Sequence, residues 1–186
     1  MSPTILPYNG IMPKIADDAF IASNAIIIGD VEIGSGSSIW YNCVLRGDMN
    51  IIRVGENTNI QDGTIVHVDS GKYGTFIGNN ITIGHLALIH ACTLEDRCMV
   101  GMNGTVMDGA VVETGALVAA GALVAPGKRV PAGQMWAGTP ARYARDIRES
   151  DIEMINYIWP GYQKLGAEYI AQGHDARAAQ PLKQDK

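Results

Sequence analysis

The stretch IIIGDVEIGSGSSIWYNCVL, residues 26–45, places an aliphatic residue at every sixth position: Ile27, Ile33, Ile39 and Leu45. A period of six does not match one face of an α-helix, which repeats about every 3.6 residues. It matches β-strands, because side chains alternate between faces and every sixth residue returns to the same face. Glycine and serine between the aliphatic positions permit a tight corner after each short strand.

The same period continues through most of the chain, with slips of register between runs. Glycine accounts for 22 of the 186 residues, well above its usual share of about 7%. Hexapeptide repeats are a signature of parallel β-helices, whereas the turns of a β-sandwich recur about every 8–12 residues. We therefore predict a mainly β solenoid. Its inward positions are Ile15, Ile21, Ile27, Ile33, Ile39, Leu45 and Ile51, then Val54, Ile60 and Val66, then Ile77, Ile83 and Ile89, and finally Leu94, Val100, Val106, Val112, Val118, Val124 and Val130.

Composition and charge exclude several classes of protein. The net charge of −5 argues against a nucleic-acid-binding protein, which would carry a basic surface. The sequence shows no apolar run near the ~20 residues of a membrane span, and its N-terminus lacks the pattern of a secretory signal. Three cysteines without a C-x-x-C spacing fit a reducing compartment, so we expect a cytoplasmic protein.

The C-terminal part has a different pattern. Ser150 and Glu153 match a capping box at the start of a helix. Pro160 and Gly161 predict a break or kink in that helix, and Gly173 predicts its end. The polar residues that follow are expected to fray. We divide the chain into a cap segment 1–14, a solenoid 15–136, an exit loop 137–149, a C-terminal helix 150–173 and a polar tail 174–186.

Three of the four histidines, His67, His85 and His90, lie close together in the repeat, and His174 in the tail has no predicted role. Catalytic zinc commonly takes three histidines and leaves one position open. His67 and His85 are one nominal coil apart, so we expect them to stack at about 4.8 Å. His85 and His90 are separated by roughly 16 Å of extended chain. One chain therefore has difficulty gathering all three, whereas neighbouring subunits of a three-fold oligomer can complete the site.

Four segments resemble the γ-class carbonic anhydrases and their bacterial homologues: LRGDMN (45–50), NTNIQDGTIVH (57–67), IGHLALIHAC (83–92) and VGMNGTVMDGA (100–110). This resemblance implies a left-handed parallel β-helix, with roughly seven coils of three hexapeptides each. It also implies a homotrimer with metal between subunits, where His67 and His90 come from one chain and His85 from the next. Zn²⁺ is the expected metal, with Fe²⁺ or Co²⁺ as alternatives.

The resemblance also suggests roles for residues around the metal. Arg46 and Asp48 match an interface pair, although a simple intersubunit ion pair would explain them equally well. Gln61 and Asp62 match polar residues beside the metal-bound solvent, or they occupy a corner of the solenoid. Asn59 would form a ladder with Asn57 or fill a turn.

The expected reaction is reversible hydration of CO2 to bicarbonate by hydroxide on zinc, which lowers the pKa of water to about 7. Gln61 would orient the hydroxide or polarise CO2, and Asp62 would accept its hydrogen bond. Either Tyr157 or Tyr162 would enter the same pocket. Met49 and the short loop 69–76, in which Asp69 is the only acidic residue, replace acidic groups of active family members. Rapid turnover is therefore not expected.

Two other functions remain open at this stage. A hexapeptide-repeat acyltransferase would use one histidine as general base, and two further histidines would then be unexplained. A metal-binding but non-catalytic assembly subunit would keep the three histidines without hydrating CO2.

Overall fold

In the computed structural model, which describes residues 4–179, the chain forms a left-handed parallel β-helix followed by a long α-helix. The predicted fold class is confirmed. In chain order the strands are β1 (Thr4–Leu6), β2 (Lys14–Ile15), β3 (Phe20–Ile21), β4 (Ile26–Ile33), β5 (Ser38–Ile39), β6 (Val44–Val54), β7 (Asn59–Ile60), β8 (Ile65–His67), β9 (Thr75–Ile77), β10 (Thr82–Ile83), β11 (Leu88–His90), β12 (Thr93–Leu94), β13 (Met99–Val100), β14 (Thr105–Val106), β15 (Val111–Val112), β16 (Leu117–Val118), β17 (Leu123–Val124), β18 (Arg129–Val130), β19 (Gln134–Ala137) and β20 (Arg142–Asp146).

The strands form three faces, and each coil adds one parallel strand to each face. Face 1 contains β1, the first halves of β4 and β6, β8, β11, β14 and β17. Face 2 contains β2, the second halves of β4 and β6, β9, β12, β15 and β18. Face 3 contains β3, β5, β7, β10, β13, β16 and β19, and β20 pairs antiparallel with β19.

One stack of buried aliphatic side chains fills the interior behind each face, as the six-residue period predicted. Because partners in neighbouring strands are in register, each side chain packs on the equivalent one in the next coil. The stacks are Ile27, Leu45, Val66, Ile89, Val106 and Val124 behind face 1; Ile33, Val54, Ile77, Leu94, Val112 and Val130 behind face 2; and Ile21, Ile39, Ile60, Ile83, Val100 and Val118 behind face 3.

The predicted series is wrong at Ile51, which is partly exposed, whereas Ile52 is fully buried. Gly47 and Ile52 of β6 pair with Gly29 and Val31 of β4. The two residues of β6 are five positions apart, whereas their partners in β4 are two positions apart. Strand β6 therefore carries three extra residues at this corner. The insertion shifts the alternation of side chains by an odd number, which turns Ile51 outward.

The predicted N-terminal cap segment already belongs to the solenoid. β1 pairs in parallel with Ile26–Ile28 and β2 with Glu32–Ile33, both in β4. An antiparallel bridge between Tyr8 and Ile11 closes a turn in the connection between the two strands. The boundary at residue 14 is therefore placed too late, because the first coil begins with β1; residues 1–3 of the predicted cap lie outside the described residues.

The predicted exit loop contains β20, and a continuous helix, α1 (Glu149–Ala171), follows it. The predicted break is wrong, because Pro160 lies inside this helix. Proline removes one backbone hydrogen bond, but α1 runs back along face 3 and contacts β10, β7, β5 and β3, so packing supports both sides of Pro160. Within residues 4–179, no helix combines the length and apolar character needed to cross a bilayer.

The start of α1 also differs from the prediction. Asp151, instead of the Ser150–Glu153 capping box, accepts the backbone N–H of Arg148 at 2.8 Å. Asp151 also receives two hydrogen bonds from Arg145 at 2.5 and 3.0 Å. The helix is therefore tied to β20, the last strand of the solenoid.

The tail does not fray over residues 174–179, which dock on the first coil. The buried carboxylate of Asp175 accepts the N–H of Ile21 at 3.1 Å. Arg177 donates to three backbone carbonyl groups of the first coil. The first coil needs such partners because no earlier coil pairs with it. Residues 180–186 of the predicted tail lie outside the described residues.

Replacing Ile89 with alanine should lower the free energy of unfolding by about 2–5 kcal/mol, because the fully buried side chain would leave a cavity between coils. Urea denaturation followed by circular dichroism measures the change. Ile152→Ala is the matched control: Ile152 is 51% exposed on α1, so we expect a loss below about 1 kcal/mol. Equal losses in both variants would contradict the core position of Ile89.

Asp151→Asn should lower the free energy of unfolding by about 1–2 kcal/mol at pH 7, because hydrogen bonds from Arg145 and Arg148 lower the pKa of Asp151 to about 2. This stabilisation is present above the ordinary carboxyl pKa and is lost as pH falls through the lowered value. The difference from wild type should therefore shrink below about pH 4. Urea titrations from pH 7 to pH 3 measure it, with the exposed Glu153→Gln as control. A difference independent of pH would exclude this role.

Candidate functional site

His67 and His90 lie at the end of face 1 on strands of neighbouring coils. β8 and β11 pair so that these two residues are direct register partners, with ring centroids 5.2 Å apart. The predicted stacking of His67 on His85 is therefore wrong. The loop after β8 lengthens this coil, so the residue one coil after His67 is 23 positions further along the chain.

His85 lies at a different corner of the cross-section, between faces 3 and 1. It follows β10, and the whole width of face 1 separates this corner from His90 at the far end of β11. Within residues 4–179, no three histidine, cysteine or carboxylate side chains come together in a metal-binding group. One chain thus brings two of the three predicted ligands together, as the spacing of His85 and His90 predicted.

A carboxylate holds one ring nitrogen of each of these histidines. In a neutral imidazole, the nitrogen that faces a carboxylate carries the proton, and the other nitrogen keeps its lone pair. The pairs are His67 Nε2 with Asp48 Oδ1 at 3.1 Å, His85 Nδ1 with Asp62 Oδ2 at 2.9 Å, and His90 Nδ1 with Asp108 Oδ1 at 2.5 Å.

The free nitrogens of the two neighbouring rings face each other, with 3.2 Å between His67 Nδ1 and His90 Nε2. Two lone pairs at this distance repel unless a proton or a metal ion lies between them. Burial lowers the pKa of His67 in spite of the Asp48 hydrogen bond. The lowered pKa disfavours an extra proton on this ring. The separation is close to the ~3.3 Å expected between two nitrogens bound tetrahedrally to one zinc ion. The donor set therefore fits a metal.

The three-residue insertion in β6 supplies the partner of His67. Asp48 lies in this insertion and also accepts a hydrogen bond from Arg46 at 2.5 Å. Burial disfavours the charged form of Asp48, but the hydrogen bonds from Arg46 and His67 outweigh it and lower its pKa. The structure thus joins Arg46 and Asp48 within one chain.

Gln61 is buried beside His85, and both line a groove of about 310 Å³ between face 3 and α1. The Nε2 of Gln61 donates to Asn59 Oδ1 at 3.1 Å, and Asn59 in turn donates to Thr82 Oγ1 at 2.9 Å. This chain of bonds orients the Gln61 amide, and among residues 4–179 no donor bonds to its oxygen, which can therefore accept. Asn59 therefore holds Gln61, rather than forming the ladder with Asn57 considered from sequence.

Asp62 and Tyr162 lie on the same side of the molecule. One oxygen of Asp62 faces His85, and the other accepts the backbone N–H of Tyr41 at 3.2 Å. Tyr162 packs edge-on against Trp40, with the ring centroids 5.4 Å apart. Burial and, to a lesser extent, the charge of Asp62 raise the pKa of Tyr162. Tyr157 is 81% exposed. Of the two candidate tyrosines, Tyr162 is the one near Asp62.

The candidate site residues thus form two separate groups. The paired-histidine edge consists of Arg46, Asp48, His67, His90 and Asp108, and the His85 corner consists of Gln61, Asp62 and His85. Asp108 was not among the residues predicted from the sequence. Its signal was its position 18 residues after His90, which is one coil in a hexapeptide repeat.

The comparisons with known proteins agree with the fold. The family model for bacterial transferase hexapeptide (six repeats) matches residues 4–47. The chain is 49% identical to gamma carbonic anhydrase 1, mitochondrial, of Arabidopsis thaliana over 91% of its own length and 62% of that protein. It is 40% identical to a carbonic anhydrase of Geobacillus kaustophilus over 90% of its own length and 91% of that protein.

A solved structure, a hexapeptide transferase family protein from Anaplasma phagocytophilum, superposes with a TM-score of 0.86 at 48% identity; the match covers 89% of this chain and 98% of that one. Fold and repeat define a hexapeptide-repeat protein of the left-handed β-helix class. Within that class, the chain belongs to the γ-class carbonic anhydrase-like family. It spans about three-fifths of the length of the Arabidopsis relative.

Proposed function

We propose that this chain is a γ-carbonic anhydrase, a lyase that reversibly hydrates CO2 to bicarbonate at metal sites between the subunits of a homotrimer. The observation that carries the proposal is the facing pair of lone-pair nitrogens on His67 and His90, 3.2 Å apart. Family membership supports the same reaction, because the relatives that cover most of this chain include a protein named carbonic anhydrase.

His67 and His90 of one subunit would bind the metal together with His85 of a neighbouring subunit. The paired-histidine edge and the His85 corner lie on opposite sides of face 1, so a neighbour packed on this face would bring the two groups together. Exposed apolar side chains support such a contact: Ile65 on face 1 is 39% exposed, and Leu86 beside His85 is 65% exposed. Three imidazoles suit Zn²⁺, and also Fe²⁺ or Co²⁺.

The bound metal would supply Lewis-acid activation of water for attack on CO2. This chain's residues would orient the reactants. The free oxygen of Gln61 is directed by Asn59 and would accept a hydrogen bond from the attacking water. Asp62 would fix the ring of His85 through one oxygen, and its partly exposed carboxylate keeps lone pairs that could accept a hydrogen bond from solvent. Tyr162 would line the pocket near Asp62 and help to exclude water.

We expect turnover to be slow, because proton transfer to solvent has poor carriers here. Met49 is 55% exposed on the β6 insertion and has no titratable group. Asp69 accepts the backbone N–H of Lys72, which lowers its pKa and makes it a weak proton acceptor near neutral pH. The free, buried thiols of Cys43, Cys92 and Cys98 support the predicted cytoplasmic location.

A mixing experiment tests the shared site. His67→Ala and His85→Ala trimers should each lose metal and CO2 hydration in stopped-flow assays, because each lacks one ligand at every interface. After the two variants are dissociated, mixed in equal amounts and reassembled, we expect about a quarter of the wild-type signal. A site is complete only where a His85→Ala subunit supplies His67 and His90 and a His67→Ala neighbour supplies His85. With random assembly, one site in four has this combination.

The exposed His174→Ala is the control and should keep full metal and activity. No recovery in the mixture, with both variants still trimeric, would rule out a site shared between subunits. Wild type that holds about one metal per chain but hydrates no CO2 at saturation would favour a non-catalytic assembly subunit.

An acyltransferase is the second candidate, favoured by the transferase hexapeptide model and by the name of the solved structure. The histidine arrangement argues against it, because a single general base does not require two imidazoles at 3.2 Å. Saturable binding of acetyl-CoA in calorimetry would support the acyltransferase.

A further inference from the structure

We propose that Asp108 is a positioning residue for the metal site: it holds the ring of His90 so that Nε2 faces His67. This inference rests on the proposed metal site. Asp108 Oδ1 lies 2.5 Å from His90 Nδ1, the shortest of the three carboxylate contacts to the candidate ligands. A carboxylate on the outer nitrogen of a histidine ligand selects the tautomer and fixes the ring orientation.

The solenoid fixes the backbone on both sides of this carboxylate. The N–H of Gly109 donates to the carbonyl of Ala91 in the preceding coil at 2.8 Å, and the N–H of Gly127 in the following coil donates to the carbonyl of Asp108 at 2.8 Å. Asp108 is therefore held between the corner that carries His90 and the next corner. Such a carboxylate is preorganised and does not depend on a flexible loop.

The loop after β8 covers the same corner. The ring of Tyr73 packs over Gly109, so that a β-carbon there would lie 3.1 Å from the ring. His90 is 25% exposed and Asp108 is 36% exposed at their side chains. The pair is thus partly shielded from water, which strengthens a hydrogen bond to a charged group.

Asp96 shows how a corner carboxylate that only supports the fold differs from Asp108. Asp96 occupies a comparable corner and also bonds to the preceding coil, where it accepts the N–H of Asn79 at 2.8 Å. Its partner is an asparagine and not a histidine. Asp96→Asn is therefore a matched control for the loss of a corner carboxylate.

The test measures Co²⁺ affinity of the metal-free trimer by competition with a chelator, together with the visible Co²⁺ spectrum. Asp108→Asn should bind Co²⁺ roughly 10- to 100-fold more weakly than wild type and show an altered spectrum, while Asp96→Asn stays within about threefold of wild type. Asp108→Glu, which keeps the carboxylate, should recover part of the loss. Equal affinities of Asp108→Asn and Asp96→Asn would overturn the proposal.

A second measurement needs no variant. In ¹⁵N spectra of the metal-free wild type, His90 should carry a proton on Nδ1, and a neutral ring protonated on Nε2 alone would overturn the proposal. Wild type that binds no metal at all would refute the metal site, yet the tautomer would still show whether Asp108 orients His90. The two failures are therefore distinguishable.

Discussion

The structure depends on the parallel ladder that joins each coil to the next. Backbone hydrogen bonds set the coils about 4.8 Å apart, and the aliphatic stacks behind the three faces keep them in register. Any residue is therefore close to its register partners in the preceding and following coils. This constraint brings His90 beside His67 and Asp108 beside His90, although these pairs are 23 and 18 residues apart in the chain.

The candidate site occurs where the repeat is irregular. The three-residue insertion in β6 carries Asp48 to the ring of His67. The loop after β8 adds residues between His67 and its partner, and the spacing of buried aliphatic residues shortens by one between Ile89 and Leu94. The irregular coils therefore supply Asp48 and set the spacing of His67 from His90, whereas the pair of His90 with Asp108 follows the regular spacing of one coil.

The C-terminal segment links the last coil of the solenoid to the first. α1 runs from the last coil back along face 3, and Asp175 and Arg177 bond to the first coil. The same helix forms one wall of the groove beside Gln61 and His85. The segment therefore supplies hydrogen-bond partners to the backbone of the first coil and forms part of the surroundings of the His85 corner.

The sequence by itself determined the solenoid, because an inward aliphatic residue every six positions can be read without knowing any contact. It also singled out three histidines as candidate ligands and predicted the separation of His85 from His90, since five residues of extended strand span roughly 16 Å. It misplaced Ile51 and paired His67 with the wrong histidine, because the length of an insertion does not tell which register the next coil adopts. It missed Asp108, although the spacing of 18 residues from His90 is that of one coil, and it predicted a break or kink at Pro160 because local propensity ignores the packing on face 3. Only the tertiary structure decided these points, because register, ring orientation and tail docking depend on hydrogen bonds between residues that lie far apart in the chain.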